Sequence, residues 1–597
     1  MIKLSDYVMR FIEDLGVRHV FFLPGGGAMH LVDSLGKSEI LEHISLLNEQ
    51  AVGIASQAYA EYTNNFGVAL VTSGPGATNA ITGLTGAWLD SVPCMYISGQ
   101  VKRSDLKGDS GVRQKGAQEV DIVTMVQSVT KYAVTITDPL MIKYHMEKAV
   151  HLAKNGRSGP VWIDIPLDVQ ATIINENELI GYDVSSETTN VTVSLENEIK
   201  TIIERLNTAN RPCLLIGNGV RLAHAENELY QLVEALQVPI LTTWKAMDLF
   251  DHNDALFFGR PGIVAQRGAN FIQQNSDFLL VLGSRLSVQN VAYNEGNFAK
   301  NAMKVLVDID RNELNKMKGI DLRIEANALD FIKEFLRQLL HVEKKDRSAW
   351  FDYCHSMKRS YPLLAEYTLS EKYVNMYVLM DVLSDQLNNV DIVVPDSGGN
   401  PSGLTLVTWR VKKGQRVIFN LGLGSMGFGL PTSIAVSLAS ERSRVVSING
   451  DGGFQLNIQE LEAVKRLDLP IKYFILNNDG YASIKSSQDN HFGRNVGCNE
   501  LSGLTLPNIR DLAMAYGIPF FVIQTNDQVS ELVQQVLATS GPVICDVMID
   551  PKEELLPKVA SKQLPDGKMA SSKLEDLFPF LPEEEVRKNM SISEEFK

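Results

Sequence analysis

Short apolar runs recur along the chain, each bounded by glycine, proline or small polar residues and each followed by a stretch with helical spacing. In the first third the runs are "HVFFL" at 19–23, "VALVTS" at 68–73, "PCMYISG" at 93–99 and "PVWIDIP" at 160–166. Strands apolar on both faces and separated by helices predict parallel sheets covered by helices. The polar stretch "GYDVSSETTNVTVSLENE" at 181–198 breaks the alternation and reads as a linker. A second block runs through "RPCLLIGNGV", "VPILTT", "FLLVLGSR" and "KVLVDID" and fades at the charged "HVEKKDRSAW", 341–350. A third runs through "VDIVVPDSGG", "RVVSINGDGG", "IKYFILNND" and "PVICDVMID". The expectation is an α/β protein of three doubly wound parallel-sheet domains, 1–180, 195–342 and 355–550, with an irregular C-terminal tail at 551–597.

A chain of 597 residues is too long for one hydrophobic core, so several domains are expected on length alone. The formal charge of −15 argues against nucleic acid or an anionic membrane as partner, and any anionic ligand must be held by local devices. Asp6, Glu13 and Asp14 interrupt the apolar pattern of the first helix, unlike a secretory signal, and no apolar run reaches a membrane span. Five scattered cysteines without CxxC spacing read as buried thiols in a reducing, cytoplasmic setting.

The densest chemistry lies at 450–479, where "RVVSIN" runs into Gly450-Asp451-Gly452-Gly453 and "IKYFIL" runs into Asn477-Asn478. Loops at the carboxyl ends of buried parallel strands are where α/β sheets hold ligands. The glycines let a backbone approach a bulky anion, and Asp451 offers a hard oxygen. Asn478, 27 residues later on the next strand end, offers an amide oxygen and nearby carbonyls. This set suits a magnesium ion carrying a diphosphate, because Mg²⁺ takes few protein oxygens and completes its shell from phosphate and water.

Four segments in order make the chain resemble thiamine-diphosphate enzymes of the acetolactate synthase-like branch. They are "SLLNEQAVGIASQAYAEYTN", "VTSGPGATNAITGLTGAWLDSVPCMYISGQ", "GLGSMGFGLPTSIA" and "NGDGGFQLNIQELEAVKRLDLPIKYFILNN". The resemblance implies a pyrimidine domain, a central domain and a diphosphate domain in that order. It assigns Glu49 as the acid that activates the cofactor through the pyrimidine nitrogen N1′, with Gln118 as a second catalytic residue. Gly424 would accept from the 4′-amino group, and Met426 would prop the bent cofactor. Gly398, Gly399, Asn400, Asp451, Gly452, Gly453, Asn478 and Gly480 would complete the thiamine diphosphate site, with Asp451, Asn478 and Gly480 on Mg²⁺. It further implies a homodimer or homotetramer with active sites between subunits.

The chain departs from the acetolactate synthase pattern in two places. "GAQEVDI" has Ala117 where those enzymes carry Phe, and "NNDGYASIKSSQ" has Ser487 where they carry Trp. Together with Gly26 and Ser483 these positions form the expected acceptor pocket, enlarged by the loss of two rings. The later segments also look like synthase-like carboligases of surface-polysaccharide and nucleotide-sugar pathways. The expected reaction is decarboxylation of a 2-oxo acid, pyruvate, and transfer of the acyl unit to a carbonyl acceptor such as a keto sugar. The alternatives are an ordinary acetolactate synthase using two pyruvates, or a decarboxylase that releases the aldehyde. Family decarboxylases favour paired histidines, and no His-His pair occurs in this chain. In the central domain the resemblance points to FAD through Gly217, Gly219, Gly283, Arg285 and Asp308. Ser287, Gln289 and Ala326-Asn327 depart from the family's FAD contacts and leave that binding open.

Overall fold

The computed structural model describes residues 1–186, 194–362, 370–397, 399–563 and 569–591. Three parallel sheets follow one another along the chain. The first has strands in the order Glu42–Ser45, His19–Phe22, Gly67–Val71, Cys94–Gln100, Val161–Pro166, Tyr132–Thr135. The second runs Ile240–Thr242, Pro212–Ile216, Phe278–Leu282, Met303–Asp308, Leu322–Glu325, and the third Ile392–Pro395, Val445–Gly450, Ile471–Asn477, Val543–Met548, Phe520–Ile523. The central strands are the apolar runs read from the sequence, buried on both faces as parallel sheets require. Among the described residues no helix is long and apolar enough to cross a membrane. The five cysteines are buried and free.

Two expectations need adjusting. Part of the linker, 187–193, lies outside the described residues; the rest holds a single 3₁₀ turn, Val184–Ser186, before the helix at Glu196–Thr208. The tail is less irregular than its composition suggests. It carries an antiparallel pair, Ser561–Gln563 with Met569–Ser571, and a helix at Glu583–Met590. Its pattern escapes a periodicity reading because the strands are so short and because it is held by polar anchors. Asn270 Nδ2 donates to the Leu574 carbonyl at 2.7 Å, and Arg267 Nη1 donates to that of Leu577 at 2.8 Å, over buried Leu574 and Leu577.

Packing between domains is as tight as packing within them. The helix Glu49–Thr63 of the first domain presents Ala51, Ala55 and Ala58 to Leu430, Ile434 and Val436 of the helix Gly429–Ala439 in the third, and the two share one core. Small residues on one partner let the two helices approach closely. All three domains also meet at Asp248. Its carboxylate, with no exposed side-chain surface, accepts from Arg221 Nη1 at 2.8 Å, Arg416 Nε at 3.0 Å and the Val417 N–H at 3.0 Å. Arg416 Nη1 continues to the Tyr62 carbonyl at 3.1 Å. Burial pushes the Asp248 carboxyl up, but the two guanidinium groups outweigh it and hold the pKa below the usual range.

Asp248→Ala leaves two guanidinium groups buried without their counter-charge, a lesion that destabilises by about 3–5 kcal/mol. Chemical denaturation followed by fluorescence is expected to show a loss of that size. A loss below about 1 kcal/mol, the range of an exposed pair, would mean that the junction does not hold the domains together.

Candidate active site

In the third domain the strand Val445–Gly450 passes straight into a short helix, Asp451–Phe454, and its neighbour Ile471–Asn477 ends beside it. Asp451 is only 2% exposed. Its Oδ1 accepts from the Gly452 N–H at 2.8 Å and its Oδ2 from the Gly480 N–H at 3.0 Å. Burial still pushes its pKa up to about 7, because backbone dipoles only partly replace water around the charge. Next to it the buried Oδ1 of Asn478 has no hydrogen-bond partner among the described residues. A carboxylate short of positive charge and an amide oxygen short of a donor, both at a strand end, form a donor set for a hard cation. Among the described residues no cluster of three or more His, Cys, Asp or Glu could hold a metal on side chains alone. A cation here would therefore depend on ligand oxygens, which suits Mg²⁺ with a diphosphate.

The glycines act differently from one another. Gly450 has open space where a Cβ would lie, as an approach to an anion requires. At Gly452 a Cβ would fall 2.3 Å from the Tyr481 ring, and at Gly453 it would fall 2.5 Å from Asp396 Oδ2. At these two the missing side chain makes room for protein neighbours. Gly480, at φ 142°, would place a Cβ 2.0 Å from the Cys498 carbonyl. Asp396 was not singled out in the sequence. It is buried at the end of Ile392–Pro395 and accepts from the N–H groups of Gly429 at 2.8 Å and Gly427 at 3.3 Å, and burial raises its pKa to about 6.

Around this centre stand the remaining third-domain candidates. Gly424 adopts φ 62°, its N–H bonded to Asn420 Oδ1 at 3.1 Å, while among the described residues no hydrogen bond ends on its carbonyl. Met426 Cβ lies 3.9 Å from the Cβ position of Gly453. Ser483 Oγ donates to Asn400 Oδ1 at 3.3 Å and faces Gly399, and Ser487 is exposed on the same helix, Ala482–Phe492. Gly398 lies outside the described residues.

The first-domain candidates form a second group. Asn48 caps the helix Glu49–Thr63 through its side chain, which puts Glu49 at the first helical position, where the helix dipole favours a carboxylate. Glu49 Oε2 accepts from Asn79 Nδ2 at 3.0 Å, and Oε1 lies 3.2 Å from the Cβ position of Gly76. Two residues earlier, Gly74 at φ 61° would place a Cβ 2.3 Å from the Gln118 carbonyl, so the turn brings Glu49 and Gln118 to its two sides. Ala117 and Gln118 are exposed, and Gly26 is open on its Cβ side. Glu119, which the sequence reading passed over, is buried and gathers this loop by accepting from the N–H groups of Lys107, Lys115 and Gly116. Among the described residues no hydrogen bond joins Glu49 or Gln118 to the Asp451 group.

Three family models match the chain in order. They are the thiamine pyrophosphate enzyme N-terminal TPP binding domain at 2–125, the central domain at 199–339 and the C-terminal TPP binding domain at 397–547. The chain belongs to the thiamine pyrophosphate enzyme family. Its relatives include acetolactate synthase 1, chloroplastic, of Zea mays, 31% identical over 94% of this chain and 87% of that protein. Acetolactate synthase 2, chloroplastic, of Nicotiana tabacum is 31% identical over 94% and 84%, and a probable acetolactate synthase large subunit of Methanocaldococcus jannaschii is 29% identical over 93% of each. This thiamine pyrophosphate enzyme is thus an acetolactate synthase-like carboligase, dependent on thiamine diphosphate, another name for the same cofactor.

The enzyme has a further cleft of ≈ 180 Å³ at the carboxyl ends of the central sheet, where Gly219, Gly283, Arg285 and Asp308 meet Asp90 and Arg157 of the first domain and Leu421 of the third. Gly217 supports it from behind, since a Cβ there would fall 2.2 Å from the Gly283 carbonyl. Arg285 makes no side-chain ion pair among the described residues, and Asp308 spends one oxygen on the Asp310 N–H at 2.9 Å. A free cation, a carboxylate and a tight glycine turn fit a dinucleotide.

Gly480→Ala tests the cation site without removing a side-chain ligand. The strained φ and the clash with Cys498 must displace the Gly480 N–H from Asp451 and shift Asn478. Calorimetry with Mg²⁺ present is expected to show thiamine diphosphate binding weakened about 10-fold or more, the scale of a lost charge-assisted hydrogen bond, with an unchanged circular dichroism spectrum. Unchanged affinity would separate the Asp451 loop from cofactor binding.

Proposed function

We propose that the protein decarboxylates pyruvate with thiamine diphosphate and Mg²⁺ and joins the two-carbon unit to a second 2-oxo acid. The observation that carries this reading is the pairing of buried, cation-deficient Asp451 with the partnerless Asn478 oxygen, on a chain whose relatives along nearly all its length are acetolactate synthases. Those relatives lend nothing to the keto-sugar acceptor expected from Ala117 and Ser487. The alternative, an ordinary acetolactate synthase, fits them better and replaces it.

When bound, thiamine diphosphate supplies the electron sink for the acyl carbanion. The chain's own residues place it and manage protons. Asp451 Oδ, Asn478 Oδ1 and the Gly480 carbonyl would hold Mg²⁺ and with it the diphosphate. The Gly424 carbonyl would accept from the 4′-amino group, and Met426 would support the ring from beneath. Glu49 would hold the proton shared with N1′, the role for which a helix N-terminus and a single Asn79 donor leave its carboxylate available. Gln118, held beside it by the Gly74 turn, would face the substrate. We take the site to be completed between two subunits, hence a homodimer or homotetramer, since among the described residues no hydrogen bond joins the Glu49 and Asp451 groups. The central cleft is assigned to a dinucleotide, FAD, in a structural role, since carboligation involves no net redox change.

Purified protein with pyruvate, Mg²⁺ and thiamine diphosphate is expected to release carbon dioxide and form acetolactate, detected as acetoin after acid treatment. Glu49→Gln should slow exchange of the cofactor's C2 proton by about 10²–10⁴-fold, the usual worth of a positioned acid or base. Mixing Glu49→Gln chains with Asp451→Ala chains should restore part of the activity, because some sites then carry neither lesion. Acetaldehyde as sole product would favour the decarboxylase reading. Absence of rescue in verified mixed dimers would place the whole site in one chain.

A further inference from the structure

The loop carrying Gly424 and Met426 is rich in glycine, with Gly422, Gly424 and Gly427 inside six residues, and such a segment has many conformations to lose. Asp396 holds the loop's Gly427 end from within the third domain, and its Leu421–Gly422 end is held from the first. Asp90, at the C-terminal cap of the helix Ile81–Leu89, has a side chain only 3% exposed. Its Oδ1 accepts from the Gly422 N–H at 2.7 Å, and its Oδ2 accepts from the Leu421 N–H and from Asn420 Nδ2, both at 2.9 Å. Asn420 passes the constraint on, its Oδ1 accepting from the N–H groups of Leu423 at 3.2 Å and Gly424 at 3.1 Å. The contact is close enough to require glycine at 422, where a Cβ would lie 2.5 Å from Leu89 Cβ. Each loop N–H from 421 to 424 therefore ends on Asp90 or on the asparagine that Asp90 holds.

Asp90 also borders the central cleft. Asp90, Leu421 and Lys245 all line it, together with Arg285 and Asp308. Lys245 Nζ lies 3.7 Å from Asp90 Oδ2 while also bonding Glu61 and the Phe419 carbonyl, so the clamp has a central-domain side as well. An occupant of the cleft would pack against residues that belong to the clamp.

We propose that Asp90 is a positioning residue that holds the Gly424–Met426 loop in its cofactor-binding shape and makes that shape responsive to a dinucleotide in the central cleft. The inference rests on the reading of this loop as the pyrimidine cradle. Removing the carboxylate orphans the Leu421 and Gly422 N–H groups and leaves Asn420 Nδ2 with only the Gly86 carbonyl at 3.3 Å, and the loop then reorders only when the cofactor binds. By linkage, an occupant that stabilises the clamp must raise affinity for the cofactor, and the cofactor must raise affinity for the occupant by the same factor.

The test is calorimetric titration of thiamine diphosphate with Mg²⁺ into full-length protein freed of small molecules, with and without saturating FAD or ADP as the cleft probe. Wild type is expected to bind the cofactor several-fold more tightly when one of the probes is present. Asp90→Ala should bind about 10- to 100-fold more weakly, matching one or two lost charge-assisted bonds, and should lose the response to the probe. Asn420→Ala, which leaves Asp90 intact, should weaken binding in the same way, and the double variant should be no worse than the weaker single one; this variant also carries the test should Asp90→Ala fold poorly. Wild-type cofactor affinity indifferent to both probes, or variants that bind like wild type, would overturn the inference while leaving the proposed function standing. Failure of wild type to bind thiamine diphosphate would overturn both.

Discussion

Burying a carboxylate without a counter-cation is among the least favourable things a fold can do, and around Asp451 the chain does it at the end of a central strand. Backbone N–H groups from Gly452 and Gly480 share the charge, yet burial still leaves its pKa near 7, and the neighbouring Asn478 oxygen stays without a donor. Much else in the third domain follows from keeping that arrangement in place. Gly480 must take a conformation open only to glycine so that its N–H reaches Asp451, Gly453 must be bare so that Asp396 can sit behind it, and Asp396 in turn fastens the turn at 427–429. The site is locally destabilised and regionally supported, an arrangement that a cation and a diphosphate would relieve.

Support of that kind needs a rigid frame, and the interfaces between domains provide it. The shared core of the Glu49–Thr63 and Gly429–Ala439 helices, the Asp248 junction and the Asp90 clamp all join segments that flank the candidate site. Glu460, fully buried a few residues beyond Asp451, belongs with them: its two carboxylate oxygens accept from the Leu47 N–H at 3.0 and 3.1 Å, just before Glu49. Sites built on strand ends and helix starts, held by contacts of this density, can keep reacting groups in register. The central domain then contributes through its boundary, where the cleft and the Gly424–Met426 loop share the neighbours Asp90 and Leu421.

The sequence was most legible where local pattern and chemistry coincide. Runs such as "RVVSIN" and "IKYFIL" are central strands because both faces are buried, and the glycine-flanked Asp451 and the terminal Asn478 could be read straight from them. The two edge strands of the first sheet were not legible. Glu42–Ser45 has the sequence EHIS and is half solvated, so neither period nor propensity marks it, and the same holds for Tyr132–Thr135. Asp90, Asp396, Glu119 and Glu460 were passed over because nothing local distinguishes a clamping carboxylate from a surface one. Their meaning lies in partners far along the chain, 332 positions away for Asp90 and Gly422. The two small residues at 117 and 487 describe lost volume and do not name what enters it, and the relatives, acetolactate synthases, lend the keto sugar no support.

Cofactor binding at this site requires a divalent cation that links the Asp451 end of the third sheet to the diphosphate. The direct measurement is titration of metal-stripped protein with thiamine diphosphate in Mg²⁺ and, in parallel, in EDTA. Saturable binding in Mg²⁺ that is lost in EDTA and returns when Mg²⁺ is added back in excess is the result expected from a buried carboxylate and a partnerless amide oxygen awaiting a hard cation. Equal affinity in Mg²⁺ and in EDTA would contradict it, because the diphosphate would then be held without the ion that gives Asp451 its place.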